Sequence, residues 1–357
     1  MKIIHCSDIH LDSKMETSLP EKKALERNYE IYITFEKMIR FAREHEVKVI
    51  IIAGDLFDTK RVSSRTVRKV LDVIAEAKEI DFLYLKGNHD ENKRLFDEYG
   101  IPENLKLFRN EWTYYDYGIV GIAGVELNRD NCISIYNDLE LDKDKINFVV
   151  LHGQESRQEG EDLVSLKQLQ NKGIHYLALG HIHSYKKAEL DEEGVYCYSG
   201  CLEGRGFDEC GEKGFVLIEA DERGITSEFV PFAKRMLHEI KVDITNIESI
   251  SEIINKMKSL SADIPSSDLV KFTLTGSFLP ETDKDISFIQ KALESDFYFV
   301  KIKDESRLKI DDADYRYDKS LKGEFIRMVL SSERSEEEKE QIICCGLAAL
   351  KGEKRNI

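Results

Sequence analysis

Val49-Ile50-Ile51-Ile52-Ala53-Gly54-Asp55, residues 49–55, is the stretch whose reading decides the fold. Its opening run is apolar and β-branched with no polar alternation, the mark of a strand buried on both faces. A Gly-Asp turn ends it. Four more segments follow the same order. Ile3-Ile4 precedes Asp8-Ile9-His10, and Phe82-Leu83-Tyr84-Leu85 precedes Gly87-Asn88-His89-Asp90. Phe148-Val149-Val150-Leu151 precedes His152-Gly153, and Tyr176-Leu177-Ala178-Leu179 precedes Gly180-His181-Ile182-His183. In open α/β sheets, ligands gather outside the carboxyl ends of the strands. Clusters far apart in the chain are therefore expected to meet along one edge.

Between these runs lie helical stripes. Residues 21–46 carry Tyr29, Ile31, Phe35, Met38, Ile39 and Ala42; residues 64–78 carry Val67, Val70, Leu71, Ile74 and Ala75. Strand–helix alternation predicts parallel βαβ units. Residues 112–127, 194–199 and 213–232 read as strands without intervening helices, which predicts a second sheet on the first. The expected fold is a four-layer α/β/β/α sandwich over residues 1–232. After Pro231 the pattern changes to strand 237–244, helix 249–260, strand 269–275, helix 283–293 and strand 298–302, a compact α+β domain over 233–315. A helical segment, 316–357, completes the chain. Leu321, Phe325, Met328 and Val329 are expected to share one face there. Ser335-Glu336-Glu337-Glu338 reads as a capping box opening a helix with Ile342, Ile343, Leu347 and Leu350 on one side.

Composition bounds the function. A chain of 357 residues, 41% hydrophobic and 34% charged, is that of a globular protein of two or three domains. It has no apolar run of membrane-span length, and Met1-Lys2-Ile3-Ile4-His5 enters a strand without a signal-peptide pattern. Seven irregularly spaced cysteines without a C-x-x-C pair read as reduced thiols. A cytoplasmic location without membrane association is expected. The formal net charge of −16 is unfavourable for binding nucleic-acid phosphates over the whole surface.

Asp, His and Asn are ligands for divalent ions such as Mn²⁺, Fe²⁺ or Zn²⁺. Asp8 and His10 are two apart and can reach one ion; His181 and His183 repeat that spacing. Asp55 suits a bridging carboxylate between two ions, and Asn88 offers a neutral amide oxygen. His89 is left as a proton donor. Of the nine histidines, His5, His45, His175 and His238 fall outside the clusters and receive no role. The bland alternative, turn residues and satisfied core histidines, has to account for five such clusters in order, each at a strand end.

In order and over the first 185 residues, these clusters resemble the calcineurin-like metallophosphoesterases. The resemblance implies one metal held by Asp8, His10, Asp55 and His183, another by Asp55, Asn88, His152 and His181, and a catalytic His89. Mn²⁺ is the expected ion, with Fe²⁺, Zn²⁺ and Mg²⁺ as alternatives. Asp58 or Asp90 would orient His89, and an attacking hydroxide would be generated by coordination. Gly54-Asp55-Leu56-Phe57-Asp58, the stretch Gly206-Phe207-Asp208-Glu209-Cys210-Gly211-Glu212-Lys213-Gly214, the α+β domain and the length are similar to the SbcD-type DNA repair nucleases. That likeness implies a capping role for the α+β domain, a DNA exo/endonuclease activity in double-strand break repair, and docking of the C-terminal helices on an SbcC-type coiled-coil ATPase. Tyr198-Ser199-Gly200-Cys201 departs from that family's usual Tyr-Pro-Gly-Ser. Alternatives are a phosphoesterase acting on a phosphoprotein or small phosphodiester, and a scaffold subunit without catalysis.

For DNA, Arg61, Arg65 and Arg68 are spaced to share a helix face beside the Asp55 loop and are the expected phosphate contacts; Lys14, Lys93 and Arg94 flank other cluster loops. The alternative is a solvated helix start. Given the net charge, useful DNA binding is expected to need a homodimer groove or the ATPase partner, with the apolar faces of the C-terminal helices either the dock or simply packed on the body of the domain.

Overall fold

A computed structural model describes residues 1–15, 19–58, 62–90, 99–158, 160–279, 282, 284–310 and 315–350. The chain divides into two compact units, Met1–Met236 and Leu237–Ile357.

The first unit contains β1 (Lys2–Cys6), α1 (Glu21–Glu44), β2 (Val49–Ala53), α2 (Ser64–Glu76), β3 (Asp81–Leu85), β4 (Leu105–Leu107), β5 (Thr113–Tyr117) and β6 (Val120–Gly124). It continues with β7 (Ile146–His152), β8 (Gln154–Ser156), β9 (Leu163–Ser165), α3 (Leu166–Leu169), β10 (Tyr176–Gly180), β11 (Lys186–Glu189), β12 (Val195–Tyr198), β13 (Gly214–Asp221) and β14 (Gly224–Pro231). One six-stranded sheet runs β14-β13-β1-β2-β3-β4, and the other runs β11-β12-β10-β7-β6-β5. The five strands that precede the polar clusters are parallel within their sheets, with Ile3 opposite Val49, Val49 opposite Asp81 and Tyr176 opposite Phe148.

The apolar runs lack alternation because both strand faces are covered. Ile4, Ile50, Ile52, Phe82 and Tyr84 pack against Ile31, Phe35 and Met38 of α1 and Val67, Val70 and Ile74 of α2. On the opposite face Ile3, Val49, Ile51 and Leu83 meet Ile122, Phe148, Val150 and Tyr176 of the second sheet. Each large side chain fully buried in this way contributes roughly 1.5–3 kcal/mol of transfer free energy. The fourth layer is thinner than expected. Among the described residues it consists of a single turn at Ile135–Asp138, α3 and loops, which cover Val149, Leu151, Leu177 and Leu179.

In the second unit, β15 (Leu237–Asp243), β16 (Leu269–Thr275) and β18 (Phe299–Asp304) form a parallel sheet, with β17 (Ser277–Phe278) pairing β19 (Arg307–Leu308). Helices α4 (Ile250–Leu260) and α5 (Ile286–Leu293) bury Ile253, Met257, Ile289 and Leu293 against Val242, Val270, Phe272 and Leu274. The helical segment set apart by the sequence belongs to this unit. Its helices are α6 (Leu321–Leu330) and α7 (Glu336–Leu350); Cys344 packs on the sheet's core, and Glu340 accepts from the Leu308 amide. The capping box forms, with Ser335 Oγ accepting from the Glu338 amide at 3.3 Å and Glu338 Oε2 accepting from the Ser335 amide at 3.0 Å. The buried face of α6 differs from the expected one. Ile326 and Val329 pack against Ile343 and Leu347, while Leu321 and Met328 are 69% and 70% exposed.

Candidate metal centre

Asp8 and His10 follow β1, Asp55 follows β2, Asn88 to Asp90 follow β3, His152 ends β7, and His181 and His183 follow β10. Carboxylates thus come from one sheet and most histidines from the other. The two edges are tied together directly. The His181 amide donates to both Asp8 carboxylate oxygens at 2.9 and 3.1 Å, and His152 Nδ1 lies 2.9 Å from the Ala53 carbonyl.

Holding these side chains inward strains the main chain. Asp8, His10, Asp55 and His181 all have positive φ, at 51°, 49°, 53° and 99°. Non-glycine residues rarely adopt such values, and they concentrate where surrounding structure and function impose them. Two glycines permit the close approach. A Cβ on Gly54, itself at φ +95°, would lie 2.0 Å from His152 Nδ1, and one on Gly87 would lie 2.1 Å from Asp55 Oδ1.

Two overlapping groups result, each with one ligand atom per residue and all within 4.8 Å of one another: Asp8, His10 and His183, and Asp8, Asp55 and His152. Asp55 Oδ2 lies 3.7 Å from His10 Nε2 and 3.5 Å from His152 Nε2, so one oxygen faces both groups. Asp8 belongs to both as well, which the sequence reading did not assign. Asn88 Oδ1 joins the second group 3.1 Å from His152 Nε2, and the His181 ring stands edge-on to His152 at 5.4 Å.

The donor set fits divalent cations. A carbonyl only accepts, so His152 Nδ1 donates to Ala53 and its Nε2 presents a lone pair toward the Asn88 oxygen. Likewise His183 Nδ1 donates to Glu209 Oε1 at 2.7 Å, leaving its Nε2 lone pair 3.3 Å from His10 Nε2. Pairs of lone pairs facing each other at such distances need a cation or a proton between them. Ligands ~2.1 Å from one ion stand roughly 3.0–3.4 Å apart at octahedral or tetrahedral angles. His10 Nδ1 is buried with no hydrogen-bond partner among the described residues.

The electrostatics show how closely the carboxylates and imidazoles of the site are coupled. Burial raises the Asp55 carboxyl above its ordinary range; His152 opposes this and Asp8 adds to it. Burial pushes His152 down, but the Asp55 and Asp8 carboxylates outweigh it and the net shift is upward. Burial, reinforced by Arg205 and neighbouring imidazoles, keeps His10 neutral. Burial and His152 also lower His181.

His89 stands at the mouth of the site. Its side chain is 45% exposed, its Nδ1 is 3.9 Å from Asp58 Oδ1, and its ring is edge-on to His10 at 4.9 Å. Of the two carboxylates expected to orient it, only Asp58 faces it in this way. Asp90 is buried and does different work. It accepts the amides of Leu56 at 3.3 Å, Phe57 at 3.0 Å and Gly87 at 3.1 Å, pinning the Asp55 loop to the Asn88 loop. Burial, then the Asp55 charge, pushes it up to about 7. Arg65 and Arg68 are exposed on α2, with Arg68 over the Tyr99 ring at 5.6 Å, and Lys14 is exposed. Arg61, Lys93 and Arg94 lie outside the described residues.

Glu209 and Arg205 join the site without having been expected from the sequence. Arg205 grips Glu209 through its backbone amide at 2.7 Å and its guanidinium at 2.8 and 3.2 Å, and burial of Glu209 is overcome by His183 and Arg205, which hold it at about 2. Glu209 stood inside a quoted motif, but no strand precedes it to signal a site.

A family model described as calcineurin-like phosphoesterase matches residues 1–185. The chain belongs to this family. Among relatives of this phosphoesterase, an uncharacterized metallophosphoesterase of Bacillus subtilis, YhaO, is 26% identical over 276 residues, covering 72% of this chain and 67% of that protein. The DNA double-strand break repair protein Mre11 of Saccharolobus solfataricus is 30% identical over 241 residues, covering 61% of this chain and 60% of that one. Mre11 of Sulfolobus acidocaldarius is 26% identical over 285 residues, covering 72% and 71%. No helix among the described residues is long and apolar enough to cross a membrane.

Proposed function

We propose that this phosphoesterase hydrolyses DNA phosphodiesters as an exo/endonuclease in double-strand break repair, using two divalent cations, with Mn²⁺ the preferred ion. The observation that carries the two-cation reading is Asp55 Oδ2, which faces His10 on one side and His152 on the other. Asp8, His10, Asp55 and His183 would hold one ion, and Asp55, Asn88, His152 and His181 the other, with Asp8 in reach of both. Such ions, when bound, supply Lewis-acid stabilisation of phosphoryl charge and acidify water.

The chain's own residues do the rest. His89, at the open side with Asp58 near its Nδ1, delivers a proton from Nε2 to the leaving oxygen. Asp90 fixes the two loops carrying Asp55 and Asn88, so the donors keep their spacing. Support for DNA as substrate comes from the Mre11 relatives and from exposed Arg65 and Arg68 on the helix that follows the Asp55 loop. Support for a coiled-coil ATPase partner comes from the exposed stripe of Tyr317, Leu321 and Met328 at and before α6.

The test is incubation with Mn²⁺ and, separately, single-stranded DNA, hairpin DNA and an aryl phosphodiester. Mn²⁺-dependent DNA cleavage is expected. Hydrolysis of the aryl ester alone would move the assignment to small phosphodiesters, and inactivity on all three would remove it.

A further inference from the structure

The two histidines that anchor the paired cation groups are held by unlike partners. His152 donates its Nδ1 proton to a main-chain carbonyl, that of Ala53. His183 donates its own to a side-chain carboxylate, Glu209. An imidazole backed by a carboxylate is both oriented and made more basic, and losing such a partner typically weakens metal affinity ~10–100-fold. Glu209 is itself fixed. Arg205 supplies three hydrogen bonds to it, while its Nη1 reaches Ser13 Oγ at 3.2 Å and its Nη2 lies 3.1 Å from His183 Nδ1. Lys213 Nζ donates to the His183 carbonyl at 2.8 Å, holding the loop from behind.

This arrangement sets up a competition at one atom. With its proton on Nδ1, His183 bonds to Glu209 and offers Nε2 outward. With its proton on Nε2, it would accept from Arg205 at Nδ1 and donate to His10 Nε2 at 3.3 Å, offering nothing to a cation. The Glu209 carboxylate selects the first form. His152 has no such choice, because the Ala53 carbonyl can only accept.

We propose that Glu209, braced by Arg205, is the positioning residue that sets cation affinity at the His10–His183 seat alone, so that the two seats load separately. The inference rests on reading the two groups as cation seats. Glu209→Gln keeps an acceptor oxygen but removes the charge; Arg205→Lys keeps the charge but removes the fork that aims the carboxylate.

Calorimetric titration of the full-length protein with Mn²⁺ tests this. The wild-type chain is expected to take up two ions. Glu209→Gln should keep one at wild-type affinity and bind the other ~10–100-fold more weakly, with Arg205→Lys giving a smaller loss at the same seat. At one equivalent of Mn²⁺, the Glu209→Gln electron paramagnetic resonance spectrum should be that of isolated ions, without the exchange-coupled signal of a pair. With the diamagnetic Zn²⁺, ¹⁵N-histidine spectra should place the His183 proton on Nδ1 in the wild type and show that preference weakened in Glu209→Gln. Equal weakening of both seats, or two unchanged seats, would overturn the proposal. Should Glu209→Gln fail to fold, Arg205→Lys decides by the same criterion. A folded wild type binding fewer than two ions would instead overturn the two-cation reading itself.

Discussion

Asp90→Ala separates a structural role from a catalytic one. Three amides, those of Leu56, Phe57 and Gly87, lose their acceptor, and two of them belong to the turn after Asp55. A buried donor left unsatisfied costs ~1–3 kcal/mol, and water admitted to the new cavity recovers part of the sum, so a net loss of ~3–6 kcal/mol is expected. For a unit of this size each kcal/mol shifts Tm by ~2–4 °C, which predicts a drop of roughly 6–24 °C. Asp90→Asn, retaining one acceptor oxygen, should lose about half as much. Differential scanning calorimetry with and without Mn²⁺ reads both quantities, and loosened Asp55 and Asn88 loops should also shrink the stabilisation given by the ion. If Asp90→Ala kept its Tm within a degree and lost only turnover, Asp90 would be orienting His89 after all, and the loop-pinning argument would fail.

Other perturbations follow from the same geometry. His89→Ala should bind Mn²⁺ as the wild type does yet lose ~10²–10⁴-fold in turnover, because His89 stands outside the ligand groups; steady-state hydrolysis paired with metal titration measures this. Glu30 is buried among Arg27, Lys234 and Arg235; burial raises its carboxyl, but those three partners hold it at about 2, below the ordinary 4.5. With a depressed folded value, its contribution is complete above about pH 4.5 and disappears as pH falls through about 2. Glu30→Gln should therefore cost ~3–5 kcal/mol in urea unfolding at neutral pH, and the gap from wild type should close toward pH 2. Arg65→Ala with Arg68→Ala should weaken DNA binding and lower the slope of log affinity against log salt by up to ~2; an unchanged slope excludes the face. Leu321→Glu with Met328→Glu, both on exposed positions, should leave Tm within a degree or two and abolish co-purification with a coiled-coil ATPase partner; retained co-purification rejects that dock.

The positions that meet in the candidate metal centre were legible in the sequence because each stands just after an apolar run, and a strand end is a place the fold fixes. The burial of these strands was legible for the same reason: residues covered on both faces cannot alternate. What depends on tertiary partners was not. Asp90 is next to His89 in the chain, yet its carboxylate turns to the backbone of another loop. On α6 two apolar faces compete, one with Leu321 and Met328 and one with Ile326 and Val329, and only the position of α7 selects the second. Arg27 is 1% exposed inside α1 and bonds Glu30 and Glu203, a burial that helical periodicity would assign to a hydrophobic residue.

The left-handed backbone at Asp8, His10, Asp55 and His181 carries an implication for engineering. Outside the site, Glu46, Asn171 and Asn246 also have positive φ, at 57°, 59° and 62°, and glycine there should harden the protein without touching its chemistry. At Asp8, His10, Asp55 and His181, glycine would relax the same torsional strain while deleting a side chain of the candidate metal centre. Selection for heat resistance alone would therefore drift toward a sturdier molecule stripped of the side chains that line this rim.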